Sequence, residues 1–243
     1  MRITVLVSVL SLLAFQTAGA EPYWSQITIA TTSSQAPKVL AAANALMDSE
    51  VGKSFPGRML LQANVADGGD PSTHTFVPIY KSAADREKFL TELRASEAWS
   101  DFQAKLDRLS EPGGTVLYRN VWSAGDINDS DDTWMAHAFS VSDPKAFLAA
   151  MQTFIDSETG KKSPGQVYLS AVVAGGISPV THVVSVGYDS VEEMAGWLTV
   201  RDVSSDWATF LEASAQAGDY LGGSLAADLK TWGPATMEEI AAE

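Results

Sequence analysis

Histidines offer the first candidates for chemistry, because an imidazole titrates near neutral pH and can serve as a base, a metal ligand or a haem ligand. His74 and His182 occupy the same place in two related stretches, Thr73-His74 and Thr181-His182. They are the candidate catalytic residues, as aids to proton transfer. No His-x-x-x-His spacing or carboxylate–histidine pair accompanies them. Two histidines also fall short of the three or four ligands usual at zinc, so no metal site is predicted. A strand entry after a turn, where an imidazole bonds the local backbone, accounts for them better. His137 has no counterpart in the first stretch, where Ile27 or Ile29 aligns. It shares a strand face with Met135, Phe139 and Val141 and reads as a core residue.

Other motifs exclude more than they offer. Gly52-Lys53-Ser54 resembles the end of a phosphate loop, but that loop needs a glycine five residues before Gly52. Position 47 is methionine, and the second copy reads Gly160-Lys161-Lys162. Asp48, Glu50 and Lys53 are left as a surface ion pair or the polar rim of a ligand site. There is no nucleophile elbow, paired-carboxylate motif or dinucleotide fingerprint, and no cofactor is expected. The absence of cysteine excludes disulfides, thiolate metal sites and cysteine nucleophiles.

The elements that must position these residues come in duplicate. Residues 48–57 match residues 156–165, and the offset of 108 runs without a gap from 48 to 102, where 22 of 55 positions are identical. Trp24 pairs with Trp134 and Trp122 with Trp232 after a two-residue shift; Trp99 pairs with Trp207. This recurrence favours core or seam packing for the tryptophans. In one unit, residues 23–31 read as a strand and 38–49 as a helix closed by Gly52 in a left-handed cap. Residues 59–65 and 73–80 read as two strands about a turn. Ser82 caps a helix that breaks near Ser96 and runs to about Leu109. Pro112-Gly113-Gly114 reads as a loop, and 115–122 as the last strand. The predicted division is 1–20 leader, 21–125 first repeat, 126–133 acidic linker and 134–243 second repeat.

A βαββαβ unit forms an antiparallel sheet with both helices on one face and the other face bare. Two units in one chain can cover each other's bare faces. The order, with Tyr80-Lys81-Ser82 ending the third strand and Ser96-Glu97-Ala98-Trp99-Ser100-Asp101-Phe102 on the second helical segment, resembles the dimeric α+β barrel superfamily typified by antibiotic-biosynthesis monooxygenase domains. The counterpart is Ser204-Ser205-Asp206-Trp207-Ala208-Thr209-Phe210. The resemblance implies an α+β fold of two ferredoxin-like repeats packed as an intrachain barrel. That superfamily holds cofactor-free oxygenases, haem enzymes, isomerases and non-catalytic members.

In the second strand, Leu61, Ala63 and Val65 equal Leu169, Ala171 and Val173, whereas Leu60, Gln62 and Asn64 face Tyr168, Ser170 and Val172 in the alignment. Strand residues alternate faces, so the identical set is predicted to pack under the helices and the divergent set to face the space between the sheets. Gln62, Asn64, Tyr168 and Ser170, with Asn120 and Asp228 from the last strands, are the candidate ligand-binding residues. Lys230 is a further polar group on that strand.

Charge and leader bound the setting. The chain carries a net −14. Residues 21–125 hold 10 Lys+Arg against 12 Asp+Glu, and residues 126–243 hold 5 against 18. Such a surface repels phosphate backbones, so nucleic acid is not a predicted partner. Arg2, the apolar run 3–15 and Ala18-Gly19-Ala20 have the plan of a secretory signal peptide cleaved after Ala20. The expected protein is periplasmic or secreted, not membrane-bound after cleavage, and monomeric with its repeats paired. The leading expectation is a small-molecule binding protein using the inter-repeat cavity. The alternatives are a cofactor-independent monooxygenase-like or haem-linked enzyme, and a non-catalytic partner-binding protein.

Overall fold

A computed structural model describes residues 21–127, 129–176 and 179–241. The predicted leader and its cleavage site lie outside the described residues.

The first half runs β1 (Tyr23–Ala30), α1 (Ala36–Met47), α2 (Glu50–Lys53), β2 (Arg58–Ala66), β3 (His74–Tyr80), α3 (Ala83–Arg94), α4 (Glu97–Leu109) and β4 (Glu111–Ala124). The second runs β5 (Thr133–Val141), α5 (Pro144–Ile155), a 3-10 turn at Gly160–Lys162, β6 (Val167–Ala174), β7 (His182–Tyr188), α6 (Val191–Arg201), α7 (Ser205–Ala217) and β8 (Gly218–Trp232). A short α8 (Met237–Ala241) follows. Serine caps set the helix starts. Ser82, Ser96, Ser190 and Ser204 each accept a hydrogen bond from the amide three residues on. The break expected near Ser96 is therefore a cap, with the Trp99 amide on the Ser96 hydroxyl at 3.2 Å, an interaction worth about 1 kcal/mol.

Two local expectations are corrected. Gly52 does not turn left-handed after α1. It lies within α2, where a Cβ would stand 2.1 Å from the Leu46 carbonyl oxygen. Close approach of backbone, not a positive φ, excludes a side chain there. Pro112-Gly113-Gly114 is not a loop but the start of β4, paired with the end of β1 through Ile29↔Pro112 and Ala30↔Glu111. The pairing shifts register between Ile27 and Ile29. The Gly114 amide donates to the Thr28 hydroxyl at 2.8 Å, and a Cβ on Gly113 would meet that same oxygen at 2.3 Å.

The strands form one closed antiparallel barrel, β1-β3-β2-β8-β5-β7-β6-β4, with β4 returning to β1. Each half supplies four strands, and the seams are β2 with β8 and β4 with β6. The fold is thus α+β, two ferredoxin-like units closed into an intrachain barrel. Alternation sorts the strand residues onto two faces, but the identical set is buried only in part: Val65 and Val173, toward the strand ends beyond the helices' cover, are 56% and 48% exposed. Leu61 and Leu169, each 1% exposed, lie in the two cores beneath the helices. Leu60, Gln62 and Asn64, and Tyr168, Ser170 and Val172, face the barrel interior.

Candidate functional site

The barrel interior is not filled. It holds a cavity of about 530 Å³, in the range of small-molecule sites. Space remains because Ala136, Ala138, Ser170, Ser185 and Ala226 put small side chains inside. Trp24 stacks on Tyr118 with centroids 4.1 Å apart and planes at 15°, and the Trp134 and Tyr168 rings lie 6.3 Å apart. Met237 and Ile240 of α8 are buried against Leu60, Val77 and Ile79 and close one end. Asp67, Asp70, Gly176 and Leu221 line the other.

The predicted binding residues gather here. Gln62 Nε2 donates to Asp228 Oδ1 at 2.8 Å, and Trp134 Nε1 to Asp228 Oδ2 at 3.3 Å. Trp24 Nε1 reaches across the β4–β6 seam to Ser170 Oγ at 3.0 Å. Asn64 Oδ1 accepts from Thr75 at 2.8 Å, and its amide nitrogen donates to Ser72 Oγ at 2.9 Å. The Asn120 carboxamide, turned with its nitrogen toward the Trp122 and Leu169 carbonyls (3.2 and 3.0 Å), meets the Ser123 hydroxyl at 2.7 Å. Tyr168 donates to Gln166 Oε1. Asp228 does not itself line the cavity; it sits behind Gln62 and Trp134. Burial raises its carboxyl to about 6, with Gln62 and Trp134 pulling the other way. Trp24 and Trp134, expected as packing residues, are cavity walls. Lys230 is exposed, away from the cavity.

His74 and His182 lie on the opposite strand face. Their neighbours Thr75 and Val183 line the cavity and they do not. Each Nδ1 meets the preceding threonine hydroxyl, at 2.9 Å from Thr73 and 3.0 Å from Thr181. Burial lowers both imidazoles from their ordinary value. Asp48, Glu50 and Lys53 line neither this cavity nor the cleft described next.

That cleft, of about 430 Å³, opens between the sheet and helices of the second repeat. Its origin is legible at the 108-residue offset. Phe55, Leu93 and Leu106 of the first repeat become Ser163, Arg201 and Ser214, all three lining the cleft. In the first repeat, Phe55 is 1% exposed, with its ring 5.2 Å from Tyr80 and 4.9 Å from Phe89. The walls are apolar: Phe139, Phe154, Trp197, Trp207 and Phe210. Arg201 Cζ sits 4.2 Å above the Trp207 ring, a favourable cation–π geometry. Its Nε and Nη2 pair with Asp202 Oδ1 at 2.8 and 2.7 Å. A guanidinium has five N–H donors, so others remain beyond that pair. His137 stands at the Ile27 position, its Nδ1 3.4 Å from the Tyr220 hydroxyl. Burial, then Arg201, pushes its imidazole down to about 4, so it is neutral at pH 7. His137, expected as a core residue, lines the cleft instead, and Arg201 gave no signal in a comparison of shared residues, because it is where the copies differ.

No family model matches the chain, and no curated protein matches it in sequence. Solved structures do match in shape. A candidate monooxygenase from Lactobacillus acidophilus aligns with TM-score 0.62 at 10% identity, covering 89% of this chain and 97% of its own. A candidate monooxygenase from Fusobacterium nucleatum gives 0.59 at 14%, covering 87% and 94%. An anthrone oxidase-like protein gives 0.57 at 13%, covering 87% and 92%. At such identities the likeness speaks for architecture, and it spans both repeats of this chain. The protein has the fold of the dimeric α+β barrels, closed here by the two halves of a single chain.

Proposed function

We propose that the protein is a cofactor-independent, monooxygenase-like enzyme that oxidises a planar, weakly acidic aromatic molecule in the second-repeat cleft. The observation that carries this reading is the contrast between the repeats. The space that Phe55, Leu93 and Leu106 occupy in one copy is opened in the other, and the opening gains a cation and a neutral imidazole. A plain binding protein, the leading expectation from sequence, needs neither. The shape neighbours, two candidate monooxygenases and an anthrone oxidase-like protein, support the choice of reaction class.

The chemistry follows from the groups. A methylene C–H flanked by aromatic rings and conjugated through them to a carbonyl ionises to an enolate. Arg201 N–H groups not engaged by Asp202 receive the enolate oxygen, and His137 accepts the proton. An anion resting on Arg201 offsets the repulsion that helps hold His137 unprotonated, so substrate binding strengthens the base. The electron-rich carbon then reduces dioxygen directly. For an anthrone-type methylene, R2CH2 + O2 gives R2C=O + H2O: two C–H bonds break, one C=O forms, and the second oxygen leaves as water. The aromatic walls stack the substrate and exclude bulk water.

Oxygen uptake with anthrone, followed with the absorbance of anthraquinone and corrected for autoxidation, tests the reading. One O2 per anthrone is expected, with rates falling at least tenfold in Arg201→Met and in His137→Phe. Uptake no faster than the blank across anthrones and phenols, or uptake indifferent to both substitutions, would overturn it. A Soret band retained on purification would transfer the function to a haem-linked enzyme.

A further inference from the structure

We infer that the barrel interior is a second, separate ligand site, built for a small uncharged apolar molecule. Its inner surface is unlike the packed interior of an ordinary small barrel. An eight-stranded barrel is just wide enough for side chains to fill it or for one small ligand to enter. Protein interiors otherwise pack with few voids larger than a water molecule. Here seven lining residues are alanine or serine, and about 530 Å³ stays open beside the stacked Trp24–Tyr118 pair.

Charge selects the class of ligand. Among the described residues no lysine, arginine or histidine lines this cavity, and the charged ones that do are Asp67 and Asp70, beside the open end. An anion would meet repulsion at the entrance and no cation inside. A cation would pass the entrance but find no lining carboxylate deeper in, and burying an unpaired charge is costly. The larger interior polar side chains are already matched: Gln62 and Trp134 to Asp228, Trp24 to Ser170, Asn64 to Thr75 and Ser72, and Tyr118 to Gln26, which leaves the small Ser185 and Ser224 hydroxyls. A ligand therefore need bring no hydrogen-bonding group. It has to be flat enough to lie along Trp24 and lean enough to fit beneath α8, which closes the far end. The cleft of the second repeat, with Arg201, has the opposite preference. This inference stands independently of the reaction proposed for that cleft.

Two dyes with the same ring system separate the sites. N-phenyl-1-naphthylamine is neutral, and 8-anilinonaphthalene-1-sulfonate adds one negative charge. Fluorescence titration of the full chain should give saturable 1:1 binding of the neutral dye. That binding should weaken at least tenfold in A136L/A138L, which adds bulk inside the barrel, and change less than twofold in Ser163→Phe, which fills the cleft. The sulfonate should bind the barrel at least tenfold more weakly than the neutral dye. A neutral dye lost in Ser163→Phe but kept in A136L/A138L would overturn the inference, as would the absence of saturable binding. Should the double variant fail to fold, wild-type crystals soaked in 1-bromonaphthalene decide. Anomalous density for bromine between Trp24 and Trp134 supports the site, and a barrel without it overturns the inference.

Discussion

Refilling the cleft with the residue its sister repeat uses should make the protein more stable and less active. Ser163→Phe places a ring where Phe55 sits in the first repeat, 1% exposed and edge-on to Tyr80 and Phe89. Tyr188 and Trp197 stand at the matching positions and line the cleft. Burying a phenylalanine side chain is worth roughly 1.5–3 kcal/mol, and edge-on aromatic contacts add about 1 kcal/mol. Repacking and lost rotamer freedom remove part of this, leaving about 2 kcal/mol. For a chain of this size that is a rise in Tm of about 4–8 °C. Calorimetry reads the stability, and oxygen uptake with anthrone reads the reaction, which should fall at least tenfold. A Tm lowered by a similar amount would mean that the space is not open to a ring. A raised Tm with undiminished turnover would mean that the reaction lies elsewhere.

Asp228 makes a prediction in pH. Its folded value is raised to about 6 from an ordinary 3.8, so its contribution to stability is full below about 4 and is lost as pH climbs to about 6. Each tenfold change in proton affinity is worth about 1.4 kcal/mol, so the loss is roughly 3 kcal/mol. Denaturant melts of wild type and Asp228→Asn should show the variant gaining relative stability between pH 4 and 7; a constant difference would refute the assignment. Replacing His74 and His182 together should cost stability, about 1 kcal/mol for each threonine contact, without removing metal; stoichiometric zinc or iron that disappears in the double variant would contradict this. Residues 21–125 and 133–243 expressed apart should not give two monomeric, cooperatively melting halves, because each sheet would expose its barrel face; sedimentation and thermal melts check it. Intact mass of exported protein should place the mature N-terminus at Glu21, and retention of Arg2 would exclude cleavage after Ala20.

The architecture was legible because duplication doubles every signal. A strand pattern seen once is ambiguous, but Leu61, Ala63 and Val65 repeated as Leu169, Ala171 and Val173 mark one face, buried at its leucines, and the divergent alternate positions mark the barrel interior. The Ser82 cap was readable from the acidic first turn behind it, whereas Ser96 read only as a break and is a second cap. Gly113 and Gly114 misled because glycine pairs usually signal a turn, whereas here the Thr28 hydroxyl leaves no room for a side chain at Gly113 and accepts from the Gly114 amide. The cavity side of Gln62 followed from alternation. Its bond to Asp228, 166 residues away, follows from barrel closure and has no local signature. The cleft was missed for a different reason. Identity between copies reports what the fold requires, while Ser163, Arg201, Ser214 and His137 are departures from it, and their shared location emerges only in three dimensions.

The position of β8 in the barrel has a consequence for how the chain comes to fold. This strand comes after the other seven in chain order, yet it pairs with both β2 and β5. Until it arrives, the outer edge of β2 has no partner, and the second sheet lacks one of its four strands. Unpaired edges are templates for intermolecular association, and contacts this distant in sequence form slowly. The nascent protein therefore passes through a long interval in which its first half has the hydrogen-bonding edges of an open sheet and the apolar inner face of an unfinished barrel. A stop codon just before Gly218 would hold it there permanently, and the truncated chain should collect in inclusion bodies or on holdase chaperones.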